Sequence, residues 1–193
     1  GIDSDSALKF ITNDNKPIVF YGTSITQGGC ASRPGMAHTN IISRSTIHPC
    51  INLGFSGNGH LETEIGDILS NIDAKCFIID CLPNVGIPQI ELNLTPLVMS
   101  IRKSDNGNAC PIIFVEQPIM HDLYIDEVVT EKNYILSKKV KECEQLGFKD
   151  IYLIYQEGSM GLDNEATVDG VHYNDLGFQR FAKHMLNSIE KFL

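Results

Sequence analysis

Five short runs of almost wholly apolar residues recur along this chain, at 17–21, 50–53, 76–80, 111–115 and 151–154, each separated from the next by a stretch with helical character. A strand that is apolar on every residue suits burial on both faces, as in a parallel sheet. The helical stretches are predicted at about 36–44, 60–71, 89–103, 128–146 and 174–193. In the second, Leu61, Ile65, Ile68 and Leu69 fall on one face, and in the last Phe178, Phe181, Met185, Ile189 and Phe192 recur at helical spacing. Strands alternating with helices predict a parallel sheet covered on both sides through right-handed crossovers, a three-layer α/β/α sandwich. A length of 193 residues suits one core. The domain is therefore placed at 16–193, behind a polar leader at 1–15.

Chemistry-bearing residues follow the predicted strand ends. The first strand runs into Gly22-Thr23-Ser24-Ile25-Thr26-Gln27-Gly28, where glycine permits a sharp reversal and Ser24 sits just past the strand. The second runs into Gly54-Phe55-Ser56-Gly57-Asn58-Gly59, and the third into Leu82-Pro83-Asn84. In open α/β sheets ligands bind beyond the carboxyl ends of strands, where the strand order reverses. With the order 2-1-3-4-5 that crevice lies at strands one and three, where Ser24 and Asn84 meet. Thr23, Ser24 and Thr26 read equally well as plain helix caps. Asn84 reads as an ordinary turn residue, and Gly57 as loop flexibility.

A serine hydroxyl needs a base to accept its proton, and the base needs a partner that fixes its tautomer. Asp169-Gly170-Val171-His172, in the loop before the last helix, offers both from one segment. The competing reading makes Asp169 and Asp175 solvated loop acids and His172 a helix-start residue. Acyl transfer also needs donors aimed at the developing oxyanion. The amides of Ser24 and Gly57 and the side chain of Asn84 are the candidates. Arg33 and Gln117 are candidate substrate contacts, although Arg33 equally suits tying down its own loop.

Several function classes are disfavoured. A net charge of −9 without a basic cluster argues against nucleic acid, and no apolar run approaches the roughly 20 residues of a spanning helix. His60, Glu62 and Glu64, or His121 with Asp122, match no zinc spacing, so neither metal nor cofactor is expected. The six cysteines form no CxxC pair and read as free structural thiols. Ser56 is a poor rival nucleophile, because Asn58 stands where a nucleophile elbow has glycine. Gly28-Gly29 lacks the Lys-Ser/Thr of a phosphate loop.

Four segments together resemble the SGNH or GDSL hydrolases, serine esterases on a flavodoxin-like fold. They are Tyr21-Gly22-Thr23-Ser24-Ile25-Thr26-Gln27-Gly28, Asn52-Leu53-Gly54-Phe55-Ser56-Gly57-Asn58-Gly59, Leu82-Pro83-Asn84 and Asp169-Gly170-Val171-His172. The resemblance implies Ser24 as nucleophile, His172 as base, Asp169 as its orienter, and Ser24, Gly57 and Asn84 as oxyanion donors. Thr23 departs from the aspartate usual before the serine, and Leu82 from a usual glycine. The run Cys30-Ala31-Ser32-Arg33-Pro34-Gly35 is similar to a subgroup that often carries a β-rich domain upstream. That similarity, with a start lacking methionine, predicts a trimmed chain from a periplasmic or secreted protein, a cytoplasmic one being the alternative. The expected activity is hydrolysis of a small ester or acylated carbohydrate, with acetyl groups on sugars as one substrate class. The alternative is an inactive module of the same fold that binds carbohydrate or protein.

Overall fold

The computed structural model describes residues 3, 5–7, 13–108, 110–120 and 123–193; His121 and Asp122 lie outside them. Five strands, β1 (Ile18–Gly22), β2 (Cys50–Gly54), β3 (Cys76–Asp80), β4 (Ile112–Val115) and β5 (Ile151–Ile154), form one parallel sheet in the order β2-β1-β3-β4-β5. The flavodoxin-like order therefore holds, with its reversal between β1 and β3. Among the described residues six α-helices lie between strands, α1 (Ser24–Gln27), α2 (His38–Ser45), α3 (Thr63–Leu69), α4 (Ile87–Ile101), α5 (Asp105–Asn108) and α6 (Leu123–Gln145), and α7 (Asp175–Ile189) follows β5.

Because strand side chains alternate, each apolar strand feeds two cores. Val19, Tyr21, Phe77, Ile79, Ile112 and Phe114 pack on one face with residues of α3, α4 and α6, including Leu69, Leu94, Leu97 and Leu136. Ile18, Phe20, Ile78, Ile113 and Val115 pack on the other with Ile42 of α2 and Phe178, Phe181 and Met185 of α7. Strands β1, β3 and β4 are buried along their whole length. Edge strand β2 is not.

Several boundaries differ from expectation. The helix predicted at 60–71 begins only at Thr63, because Leu61 adopts a left-handed φ of 63° that breaks the turn while its side chain stays buried. Ile68, expected in the core, is 55% exposed. Pro96 sits inside α4 without ending it, and α6 starts five residues before the expected 128. Residues Asp105–Asn108 form the single helical turn α5. All six cysteines are free thiols. No helix among the described residues is long and apolar enough to cross a membrane.

Candidate active site

At the carboxyl edge the last rung of the sheet is Gly54–Gly22–Asp80, one residue from each of β2, β1 and β3. Helix α1 lies across that rung. A Cβ on Gly22 would stand 2.0 Å from the Thr26 hydroxyl, and one on Gly54 would stand 2.1 Å from the Gln27 amide nitrogen. Only bare backbone at these positions admits the helix. Thr23 caps α1, its hydroxyl accepting from the Ile25 amide at 3.2 Å. The residue that departs from the usual aspartate thus holds the start of the turn by a neutral cap. Ser24 follows, half-buried, at the first helical position.

The candidate base, His172, comes from the other end of the chain. Asn174 caps α7 by accepting from the Gly177 amide, and its side-chain amide donates to the Glu165 carbonyl, closing the loop that precedes the helix. Within that loop the Asp169 carboxylate accepts from the amides of Val171 and His172, at 3.0 and 2.7 Å. Its second oxygen lies 2.7 Å from His172 Nδ1, while His172 Nε2 lies 3.0 Å from Ser24 Oγ. The amide of His172, then its ring, hold the Asp169 carboxyl down at about 2. An ionised carboxylate there favours the tautomer with the proton on Nδ1 and leaves Nε2 as an acceptor facing the serine.

The other candidates are placed as follows. Asn84 ends a 3₁₀ turn, Leu82–Asn84, and one of its side-chain N–H groups donates to the Asn58 carbonyl. This bond ties the loops after β2 and β3 together and leaves the second N–H available. Gly57 has a φ of 70°, with open space where a side chain would project. Neither the Ser24 nor the Gly57 amide has a backbone acceptor outside regular elements among the described residues. Arg33 is exposed; the Gln117 side-chain oxygen accepts from Lys132 at 2.9 Å, and its backbone is bound twice by Asn133. Ser56 is exposed, its amide held by the Gln27 side chain.

Three residues were missed or misread in the sequence. Asp175, taken as a solvated acid, binds the amide and hydroxyl of Ser32 at 2.9 and 2.5 Å and so fastens the 30–33 loop to the start of α7. Asn52 donates to the Thr26 carbonyl at 2.7 Å and to the Thr39 hydroxyl at 2.9 Å. Asp80 is 4% exposed and accepts from Thr26 Oγ1 at 3.1 Å; burial, against that hydrogen bond, pushes its carboxyl up to about 7. Its signal was visible as the single acid ending an apolar strand. Glu62 accepts from the Tyr21 hydroxyl and the His60 amide. No group of three or more His, Cys, Asp or Glu placed to hold a metal occurs among the described residues.

Beside Asp169 and Gly170 opens a cleft of about 420 Å³. Ile119, Met120, Met160 and Val168 give it apolar walls, and Asn164 and Thr167 polar ones.

Residues 15–190 match the GDSL-like lipase/acylhydrolase family. A protein described as a GDSL-like lipase from Bacteroides ovatus is 37% identical and superposes with a TM-score of 0.90, over 99% of this chain and 58% of that one. A salicylyl-acyltransferase from a tetracycline biosynthetic pathway superposes at 0.83 with 17% identity, over 98% of this chain and 58% of its own. A family two carbohydrate esterase from Clostridium thermocellum, solved with cellohexaose, superposes at 0.70 with 15% identity, over 92% and 65%. The chain thus spans 58% of the length of the first two. No curated protein sequence matches it significantly. A family match over nearly the whole chain and a relative 37% identical agree, and the chain belongs to the GDSL-like lipase/acylhydrolase family.

Proposed function

We propose that this chain is a serine ester hydrolase that removes short acyl groups, acetyl groups on carbohydrate among them. The observation that carries the reading is the continuous relay from Ser24 Oγ through His172 to Asp169, at 3.0 and 2.7 Å. Ser24 Oγ attacks the ester carbonyl while His172 Nε2 takes its proton. The tetrahedral oxyanion is met by the amides of Ser24 and Gly57 and by the free N–H of Asn84. His172 then returns the proton to the departing alcohol, leaving an acyl-serine. Water, deprotonated by the same nitrogen, attacks the acyl carbonyl and releases the acid and free Ser24. Asp169 stays anionic throughout and balances the imidazolium.

Relatives with carbohydrate ligands or substrates support the sugar side of the reading: one carbohydrate esterase was solved with cellohexaose, and a two-domain esterase is active on acetylated mannans. A fluorophosphonate probe tests the assignment directly. Mass spectrometry should place the adduct on Ser24, and Ser24→Ala should abolish both labelling and turnover of p-nitrophenyl acetate. An unlabelled wild type, or an adduct on another serine, ends the proposal. Aryl esters of increasing length, followed by acetylated sugars, then rank the substrates.

A further inference from the structure

Resting on the esterase reading above, we infer that Thr26 and Asp80 are positioning residues for Ser24, pinning the nucleophile's helix across three strands. Helix α1 has four residues, too few to be stable by its own hydrogen bonds. Its place is set from outside: Gln27 holds the Ser56 amide in the next loop, and the two bonds that reach α1 from the strands themselves converge on Thr26. On one flank Asn52 of β2 donates to the Thr26 carbonyl; on the other the Thr26 hydroxyl crosses over Gly22 of β1 and donates to Asp80 at the end of β3. The hydroxyl can take that path because residue 22 has no side chain.

Asp80 is an expensive residue to keep there. It is nearly wholly buried, forms no ion pair among the described residues, and has Tyr173 and Cys81 as its titratable neighbours. Burying a carboxyl with so little compensation costs stability. What the contact supplies is direction: Thr26 lies two residues after Ser24, so fixing its rotation about the α1 axis fixes where Ser24 Oγ points relative to His172. Asp80 and Thr26 touch neither substrate nor reacting atoms, and act through the helix alone.

The experiment compares Thr26→Val, which keeps the shape and removes the hydroxyl, with Thr26→Ser, which keeps the hydroxyl and removes the methyl. Asp80→Asn is the third variant and keeps an acceptor. Amide hydrogen exchange over residues 24–28 needs no substrate. It should quicken in Thr26→Val, stay near wild type in Thr26→Ser and Asp80→Asn, and leave the amides of β3 and β4 unchanged in all three. On p-nitrophenyl acetate, Thr26→Val should lose roughly 10- to 100-fold in kcat, the scale of a small misplacement of reacting atoms, with KM unchanged, and Thr26→Ser should recover most of it. Wild-type exchange in Thr26→Val, or equal defects in Thr26→Val and Thr26→Ser, overturns the assignment. Faster exchange with undiminished kcat overturns it as well. A wild type without activity would end the esterase reading alone, and the exchange pattern would still decide this one.

Discussion

The proposed nucleophile and its proposed base are seated in unlike ways. Ser24 stands on a turn built into the sheet, with Gly22 and Gly54 in near-contact with α1 and with Thr26 held by side chains from β2 and β3. His172 stands on a loop with exposed stretches, in which Gly158, Gly161, Asn164 and Gly170 all take positive φ. That loop is fastened by local bonds: Asn174 to Glu165, the Thr167–Tyr173 bridge, and Arg180 to Asp163 and the Met160 carbonyl. The difference teaches that the serine's position is a property of the core. The position of the candidate base depends on a loop whose flanks, Met160, Ala166 and Tyr173, are buried in the core but whose 169–172 segment is held by a few hydrogen bonds beside solvent. Damage to the first seat should therefore take fold and activity together, whereas damage to the second should separate them.

The largest effect is expected at Gly54→Ala. The new methyl would meet the Gln27 and Thr26 backbone at 2.1–2.7 Å, and backbone cannot rotate away as a side chain can. Overpacking of this kind costs roughly 1–3 kcal/mol or more, so melting temperature and turnover should fall together. A variant that melted like wild type would break the comparison on its rigid side. Next comes Asp169→Asn, which favours the wrong tautomer of His172 and should cost roughly 10²- to 10⁴-fold in kcat. The Asp169 side chain is 50% exposed, so water screens the lost charge and thermal stability should hardly change. Unfolding of this variant would show that the loop is no local structure. Asp175→Asn is smaller again. Its carboxylate, held below the usual range by the Ser32 hydroxyl and amide, fastens the 30–33 loop to α7 without reaching the relay. A fewfold rise in KM with kcat retained is the expected result, and loss of kcat would draw that loop into the base's seat.

The same contrast explains what could be read from the sequence. Apolar runs report strands buried on both faces, and their ends report the carboxyl edge, so a parallel sheet with Ser24 and His172 as candidates at that edge was legible; the strand order came only with the family resemblance. Helix limits were not. Leu61 is apolar and in helical phase with Leu69, yet its φ of 63° ends the pattern, and no side-chain property announces that. Pairings across the site were equally hidden. Asp175 and Ser32 are 143 residues apart, and Asn52 and Thr26 are 26 apart; only the folded sheet makes them neighbours. Gln117 also follows β4, and its backbone and side-chain oxygen are bonded by Asn133 and Lys132 of α6, a pairing equally hidden in the sequence.

The smallest expected effect lies where the two seats join. His38, at the start of α2, is fully buried among Phe20 of β1 and Phe178 and Phe181 of α7, and neither ring nitrogen has a hydrogen-bond partner among the described residues. Burial pushes its pKa down to about 3, so the folded protein keeps it neutral while the unfolded chain protonates it near 6.5. Between those values the unfolded state binds the extra proton, and stability falls as pH drops from about 6.5 toward 3. Asp80 works in the opposite sense: with a folded pKa of about 7 it stabilises at low pH, and that contribution is lost as pH rises from about 4 through 7. Comparing His38→Leu with wild type cancels the Asp80 term. Removing a buried polar ring without partners should raise stability at pH 7 by roughly 1–3 kcal/mol, and the gap should widen as the pH is lowered to 4. Turnover should not change, because the His38 ring packs against Phe20 of β1 and Phe178 and Phe181 of α7 and hydrogen-bonds to neither Ser24 nor His172. A constant gap across that pH range would mean the ring finds a partner when protonated. A fall in kcat would mean that the packing between the two seats helps to aim them at one another.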